Sequence, residues 1–332
     1  MAFDLTKPQI SKVAKSTDNF ISCIFGLNGV GKSPACCRAE KPLYLAFGKS
    51  GLSGINGVPF FAINSWSEFR QFVKSLTDKK QFEELHKMYQ TIILDEMEVL
   101  WRYCEKYICA QGGVTKIKEG NSGYGLWQEL ADEWEEQMLK LIGSGFCITF
   151  ILHAVQDKNS EKMIPVGDPK RMLPIILNHS EVIGYVKDNG VDPETGKPIH
   201  SSLMLAGTDQ WMARTRNEYF SPCVKDFTFP NLVQEYYDAL DRQAAAEGIT
   251  PITKEEKDKQ YATEKIPFDQ LMEKVNELGL KLHNAGKDEE LVDIIESVLG
   301  SGKKVSECTP KQQESVEVIF SELETACNEL GL

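Results

Sequence analysis

Residues Gly26-Leu27-Asn28-Gly29-Val30-Gly31-Lys32-Ser33 satisfy the pattern G-x-x-x-x-G-K-[ST] at every fixed position, and they follow an apolar run, Phe20–Phe25, that reads as a strand. This constrains the fold more than any other feature of the chain. A phosphate-binding loop needs a strand feeding a glycine-rich turn that opens a helix, so that backbone N–H groups and the helix N-terminus face one anion. Glycines supply positive φ and let the backbone approach phosphate closely. The expected nucleotide contacts are therefore Gly26, Asn28, Gly29, Val30, Gly31, Lys32, Ser33 and Pro34. Lys32 is placed to reach the β- and γ-phosphates, and Ser33 to ligate Mg²⁺. Pro34 falls in the first turn of the following helix, where a missing N–H is harmless. A nucleoside triphosphate is the implied ligand.

A second run extends the site. Thr91-Ile92-Ile93-Leu94-Asp95-Glu96 is a continuous apolar stretch ending in acid, as expected of a strand buried on both faces. In open α/β sheets ligands bind beyond the carboxyl ends of the strands, which puts Asp95 and Glu96 beside the phosphate loop. Asp95 is the expected second metal residue. Glu96 reads as the general base for an attacking water, or as a solvated acid at a strand end. Phe146–Leu152 is another buried strand, expected to neighbour that of Asp95 and to end in His153. There His153 either bonds the γ-phosphate or the attacking water, or is an ordinary polar residue. Arg214 and Arg216 alternate, so on a strand both face one way. They read as an arginine finger, in cis or from a neighbouring subunit, or as surface ion pairs.

The remaining pattern gives an α/β core followed by a helical unit. Helices are expected over 32–38, after the capping box Ser65-Trp66-Ser67-Glu68 with Phe69, Phe72, Val73 and Leu76 as the apolar face, and over 82–88, 98–110, 126–142 and 232–246. Further strands are expected at 43–47 and 59–63, with a glycine-rich turn, 48–57, between them. Glu181–Val186 and Ser201–Leu205 read as a hairpin around Asp192-Pro193-Glu194-Thr195-Gly196. The expected domains are residues 1–247, a polar linker 248–265, and a small helical domain 266–332. Within that domain Thr309-Pro310-Lys311-Gln312 is a helix start, and Val316, Ile319, Leu323, Ala326 and Leu330 form an apolar stripe.

Charge and composition narrow the partners. Residues 241–332 hold 20 acidic and 11 basic side chains, while residues 1–240 hold 29 and 26. Bulk charge therefore does not argue for nucleic acid, although a local basic groove remains compatible with it. Two loops have that character. Residues 112–125 include Lys116 and Lys118 beside Tyr124 and Trp127, and residues 155–174 include Lys158, Lys162, Lys170 and Arg171. Basic residues beside aromatics suit single-stranded DNA, and equally suit a solvated loop. No apolar run approaches the ~18 residues of a membrane span, so no membrane partner is expected. Residues 1–15 lack an apolar signal core, and the nine cysteines show no CxxC pair. The expectation is a cytoplasmic protein with reduced thiols and no zinc site.

The order GLNGVGKS, a Leu-Tyr-Leu-Ala strand, Ser-Trp-Ser-Glu-Phe, TIILDE, Gly-Tyr-Gly-Leu-Trp opening a long helix, ITFILHAVQDK, the strand pair around Asp-Pro-Glu-Thr-Gly, and Ala-Arg-Thr-Arg resembles phage-encoded AAA-type proteins of the RecA-like P-loop ATPase lineage. That lineage includes phage single-strand annealing recombinases. The resemblance covers about residues 18–240. It implies a RecA-like core with a mostly parallel sheet, ATP with Mg²⁺, single-stranded DNA as ligand, and a homo-oligomeric ring or filament with ATP at subunit contacts. It would make Lys32 and Ser33 the phosphate and metal residues, Asp95 the second metal residue, His153 the γ-phosphate reporter, and Arg214 and Arg216 the cation supplied in trans. RecA-like proteins often place a catalytic Glu after the strand that follows the first helix. Here that place reads Phe47-Gly48-Lys49, and the resemblance would have Glu96 take its part. The function expected is phage recombination on single-stranded DNA by annealing or strand pairing. The helical domain would dock a single-strand binding protein or another recombination partner. A helicase loader or DNA motor is the first alternative. A nucleotide-gated assembly protein with a partner-docking acidic tail is the second.

Overall fold

In the computed structural model, residues 10–48, 52, 54–78, 80–261 and 266–332 are described. Residues 49–51 and 53 of the expected 48–57 turn, residues 262–265 of the linker and the first nine residues thus lie outside the described residues.

Residues 12–257 form one compact unit. Strand β1 (Ile21–Gly26) enters the glycine loop, and helix α1 (Lys32–Cys36) leaves it. Then come β2 (Pro42–Ala46), β3 (Phe60–Ala62), α2 (Trp66–Leu76), α3 (Phe82–Met88), β4 (Thr91–Asp95) and α4 (Met97–Gln111). Two short 3₁₀ turns lead into α5 (Trp127–Ile142) and β5 (Cys147–Gln156). The unit continues through β6 (Met163–Pro165), α6 (Leu173–His179), β7 (Val182–Lys187), β8 (Ser202–Met204), β9 (Arg214–Thr215), β10 (Cys223–Val224) and α7 (Phe229–Glu247), and the division at residue 257 falls within α8 (Lys254–Tyr261).

The sheet runs β10-β8-β7-β1-β5-β4-β2-β3. From β7 to β3 every pairing is parallel, and β8, β9, β10 and β6 add antiparallel strands at the margins. This is the expected α/β architecture, a mostly parallel sheet flanked by helices. The central strands are apolar throughout because both faces are covered. Ile21, Cys23 and Phe25 of β1 join Leu43, Leu45, Ile92 and Leu94 in one core, under α2, α4 and α5. Ile24 of β1 joins Tyr44, Ile93, Ala35 and Cys36 in the other, under α1 and α7. The period-2 alternation of side chains sorts the residues between the two cores.

Two expectations need correction. The strand does not end at His153 but runs on to Gln156, and Ala154–Gln156 pair with β6. The 155–174 stretch is consequently not irregular throughout. Residues 173–179, given no element in advance, form α6, with Pro174 in its first turn. Within residues 248–265, Ile252 exchanges backbone hydrogen bonds with Val13 and Lys15, and Lys254 pairs with Asp18 at 2.5 Å.

Residues 258–332 belong to a second compact unit. Its helices are α9 (Phe268–Asn284), α10 (Asp288–Leu299) and α11 (Gln313–Leu330). Leu271, Val275, Leu282, Val316, Ile319 and Leu323 build a core of its own. Thr309 and Gln312 form the anticipated capping box. Val316, Ile319, Leu323 and Ala326 are buried as the stripe requires, while Leu330 at the helix end is exposed.

Candidate functional site

The glycine loop is built as its chemistry demands. Gly29 and Gly31 have φ of 80° and 84°, in the left-handed region that L side chains avoid at a cost of about 1–2 kcal/mol. Gly26 is constrained differently. A Cβ there would meet the Val186 carbonyl oxygen at 3.0 Å. Val30 is buried, and its carbonyl accepts from Ser201 Oγ at 2.9 Å, so β8's approach braces the loop. Asn28, Gly29, Gly31 and Pro34 are exposed around it.

Lys32, the first residue of α1, is only 6% exposed. Its ammonium donates to the carbonyls of Gly26 at 3.0 Å and Leu27 at 2.8 Å. Burial lowers its pKa, while the nearby charges of Asp95, Glu98 and Glu96 oppose that shift. The lysine is thus held at the loop by the loop's own carbonyls, with acidic side chains opposing part of the effect of burial.

Asp95 closes the other side. It ends β4, which β5 separates from β1, and side-chain parity points it into the core that α1 covers. Its Oδ2 accepts from Ser33 Oγ and, at 2.5 Å, from Tyr44 OH. Its Oδ1 accepts from the Glu96 amide at 2.9 Å. Burial, reinforced by the Asp95 charge, pushes the Tyr44 hydroxyl far up, so it stays a donor. A serine hydroxyl and an aspartate carboxylate meeting at a lysine-lined glycine loop are hard oxygen donors of the kind Mg²⁺ takes.

Glu96 caps α4 with φ 63° and ψ 56°, a left-handed conformation rare outside glycine and costing about 1–3 kcal/mol. Its Oε2 lies 3.7 Å from where a Cβ on Gly48 would sit. The carboxylate from the end of β4 therefore stands beside the end of β2. His153 pairs in register with Gly26, the last residue of β1, so it too flanks the loop. Its Nδ1 and backbone amide both bond the Glu98 carboxylate.

The arginines lie elsewhere. Arg214 pairs with Ile183 near the start of β7, whereas Gly26 pairs with Val186 near its end. Arg214 donates to the Leu177 and Ser180 carbonyls, and Arg216 donates to that of Asn178. Both cations complement the C-terminus of α6, a favourable place for positive charge. A finger acting in cis on this chain's own loop is thereby corrected: the two sit toward the opposite edge of the sheet.

Sequence reasoning missed Tyr44 and Glu98. Tyr44 has the parity of Asp95 once β2 is set beside β4, but that neighbour relation is not written in either strand. Glu98 is the second residue of α4, and helix side chains lean back toward the N-terminus. The spacing Asp-Glu-x-Glu was the available signal.

Two clefts border these elements. One, of about 720 Å³, lies against the loop and is lined by Gly29, Gly31, Arg38, Ile199, His200 and Phe227. Another, also about 720 Å³, is lined by Arg102, Lys106, Lys116, Lys118 and Trp127. The Arg171 guanidinium stacks over the Trp127 ring at 4.6 Å, joining the second basic loop to the start of α5. Tyr124 is 88% exposed nearby in sequence.

The family follows from a match of residues 19–217 to the model described as an AAA domain, more than half of the chain. The chain belongs to the AAA domain family. A relative to this AAA protein is the SPbeta prophage-derived uncharacterized protein YorG of Bacillus subtilis strain 168. It is 43% identical over 323 residues, covering 97% of this chain and 98% of the relative. Among solved structures, the RadB recombinase is similar over 56% of this chain and 80% of its own, with 15% identity and a TM-score of 0.33. No helix of the AAA protein among the described residues is long and apolar enough to cross a membrane.

Proposed function

We propose that this AAA protein hydrolyses ATP with Mg²⁺ and acts on single-stranded DNA as a phage recombination protein, by annealing or strand pairing. The observation that carries the ATPase is the convergence of Ser33 Oγ and Asp95 Oδ2 at the loop that holds Lys32. Ser33 and Asp95 would hold the metal, which supplies charge neutralisation at the β- and γ-phosphates. The loop amides and Lys32 bind and orient the triphosphate. Glu96, in its strained cap, takes the proton of the attacking water as the water oxygen bonds phosphorus and the bond to the β-phosphate oxygen breaks. Its place beside Gly48 supports its standing in for the carboxylate that RecA-like proteins carry there. The cleft at Arg38, Ile199, His200 and Phe227, which lies against the loop, offers space for the nucleoside. Arg214 and Arg216 could serve as cations only for the loop of a neighbouring copy in a ring or filament.

DNA is supported by the basic cleft. Four cations line it beside Trp127, and Arg171 bridges to the second loop. Phosphate contacts with base stacking are how single strands are held without sequence reading. The separately cored 258–332 unit, with its acidic surface, supports the further idea that it docks a recombination partner; the same unit favours the assembly-protein reading.

The test combines hydrolysis and binding. Lys32→Ala is expected to abolish ATP turnover, a loss of at least about 100-fold, in a phosphate-release assay. Fluorescence anisotropy with labelled single-stranded DNA should show salt-sensitive binding that responds to ATP. Replacing both Lys116 and Lys118 by Ala should lower the salt slope by about 2. No binding at low salt, with or without ATP and Mg²⁺, sinks the DNA reading. Turnover unaffected by Lys32→Ala sinks the ATPase, and tight binding with negligible turnover favours the assembly protein.

A further inference from the structure

We infer that Glu98 is the positioning residue for His153: it fixes the imidazole with the proton on Nδ1 and directs Nε2 to the water that attacks the γ-phosphate. The inference rests on the ATPase reading above and deepens it.

Glu98 sits in the first turn of α4, three residues beyond Asp95. Its side chain is 12% exposed. Oε1 accepts from His153 Nδ1 and, at 3.3 Å, from the His153 backbone amide. One carboxylate oxygen thus grips both the ring and the main chain of the same residue. A carboxylate oxygen that accepts from Nδ1 requires the proton there, and a neutral ring held in that way has its lone pair on Nε2. That leaves Nε2 as an acceptor, suited to hold a water O–H and unsuited to donate to phosphate.

Location makes this more than a structural bond. His153 stands in register with Gly26, where β1 enters the phosphate loop. Glu98 is also one of the acidic side chains whose charge opposes the lowering of the Lys32 pKa by burial. The other oxygen, Oε2, is buried without a hydrogen-bond partner among the described residues. A buried polar atom without a partner is rare, and a catalytic role is one of its recurring explanations. His153 is also the junction at which β5 passes from the parallel sheet to its pairing with β6, and its carbonyl accepts from the Val166 amide at 2.9 Å. Holding this residue holds the root of the second basic loop.

The test reads the ring directly. Protein labelled with ¹⁵N-histidine, without nucleotide, is compared with Glu98→Ala and Glu98→Gln, the His153 signal being assigned by its loss in His153→Gln. Wild type should show Nδ1 protonated. Glu98→Ala should move the proton toward Nε2, and Glu98→Gln, which keeps an acceptor, should restore the wild-type pattern. In steady-state hydrolysis Glu98→Ala should lower kcat by about 10- to 100-fold with KM for ATP within about twofold, and Glu98→Gln should recover most of the loss. An Nε2-protonated ring in the wild type overturns the inference with no variant needed. So does an unchanged tautomer in Glu98→Ala, or a kcat that does not fall. A wild type that hydrolyses no ATP would instead overturn the ATPase reading, and the nucleotide-free spectra would still report on the ring.

Discussion

Tyr44 and Ser33 donate to the same Asp95 oxygen, one from β2 and one from α1. The carboxylate is 5% exposed, so each donor offsets charge that water cannot reach. Tyr44→Phe removes a hydrogen bond to a charged group and leaves Asp95 less well satisfied. It should cost about 1.5–3 kcal/mol in urea unfolding. It should also loosen Asp95 as a metal residue, raising the Mg²⁺ concentration needed for half-maximal turnover. A Tyr44→Phe protein with unchanged stability would show that the Asp95 carboxylate is satisfied equally well without the Tyr44 hydroxyl. At this scale the loop residues were legible because the phosphate motif is a local backbone device: Gly29 and Gly31 need positive φ whatever surrounds them. Tyr44 was not legible, since its role depends on which strand lies beside β2.

Among the elements, α5 is the one that joins most of the helical layer. Trp134 stacks on Trp66 of α2 at 5.6 Å between ring centroids and meets Trp101 of α4 edge-on at 5.0 Å. Its indole N–H donates to the Met172 carbonyl, just before α6, at 3.2 Å. Deleting this ring opens a cavity between four elements, so Trp134→Ala should lower stability by about 3–5 kcal/mol, read as a shift of the urea midpoint. Elements with strong periodicity or caps, such as α2, α5 and α11, could be read from the chain. β5 could not be read to its end. His153-Ala154-Val155-Gln156 lacks the apolar continuity of Cys147–Leu152, and its extension is set by backbone pairing with Met163–Pro165, which carries little side-chain signature. For α6, Pro174 read as a loop residue, although proline in a first turn is equally a helix start.

For the whole molecule, two compact units carry separate cores. Leu323, fully buried in the second, should cost that unit about 2–5 kcal/mol when changed to Ala. Calorimetry should show its transition move down while the larger transition and ATP turnover stay in place. A shift of both transitions together would show that the units unfold as one. What the amino-acid sequence by itself determined is the phosphate loop, the buried strands and the acidic helical unit. Each is written in contiguous residues, through glycine dihedrals, apolar runs and helix periodicity. Tertiary structure alone decided that Asp95 meets Ser33, 62 residues away, that Glu98 grips His153, and that Arg214 and Arg216 turn to α6 rather than to their own loop. Those relations depend on strand order and register in a parallel sheet, where neighbours in space are distant in the chain and no local pattern specifies the pairing.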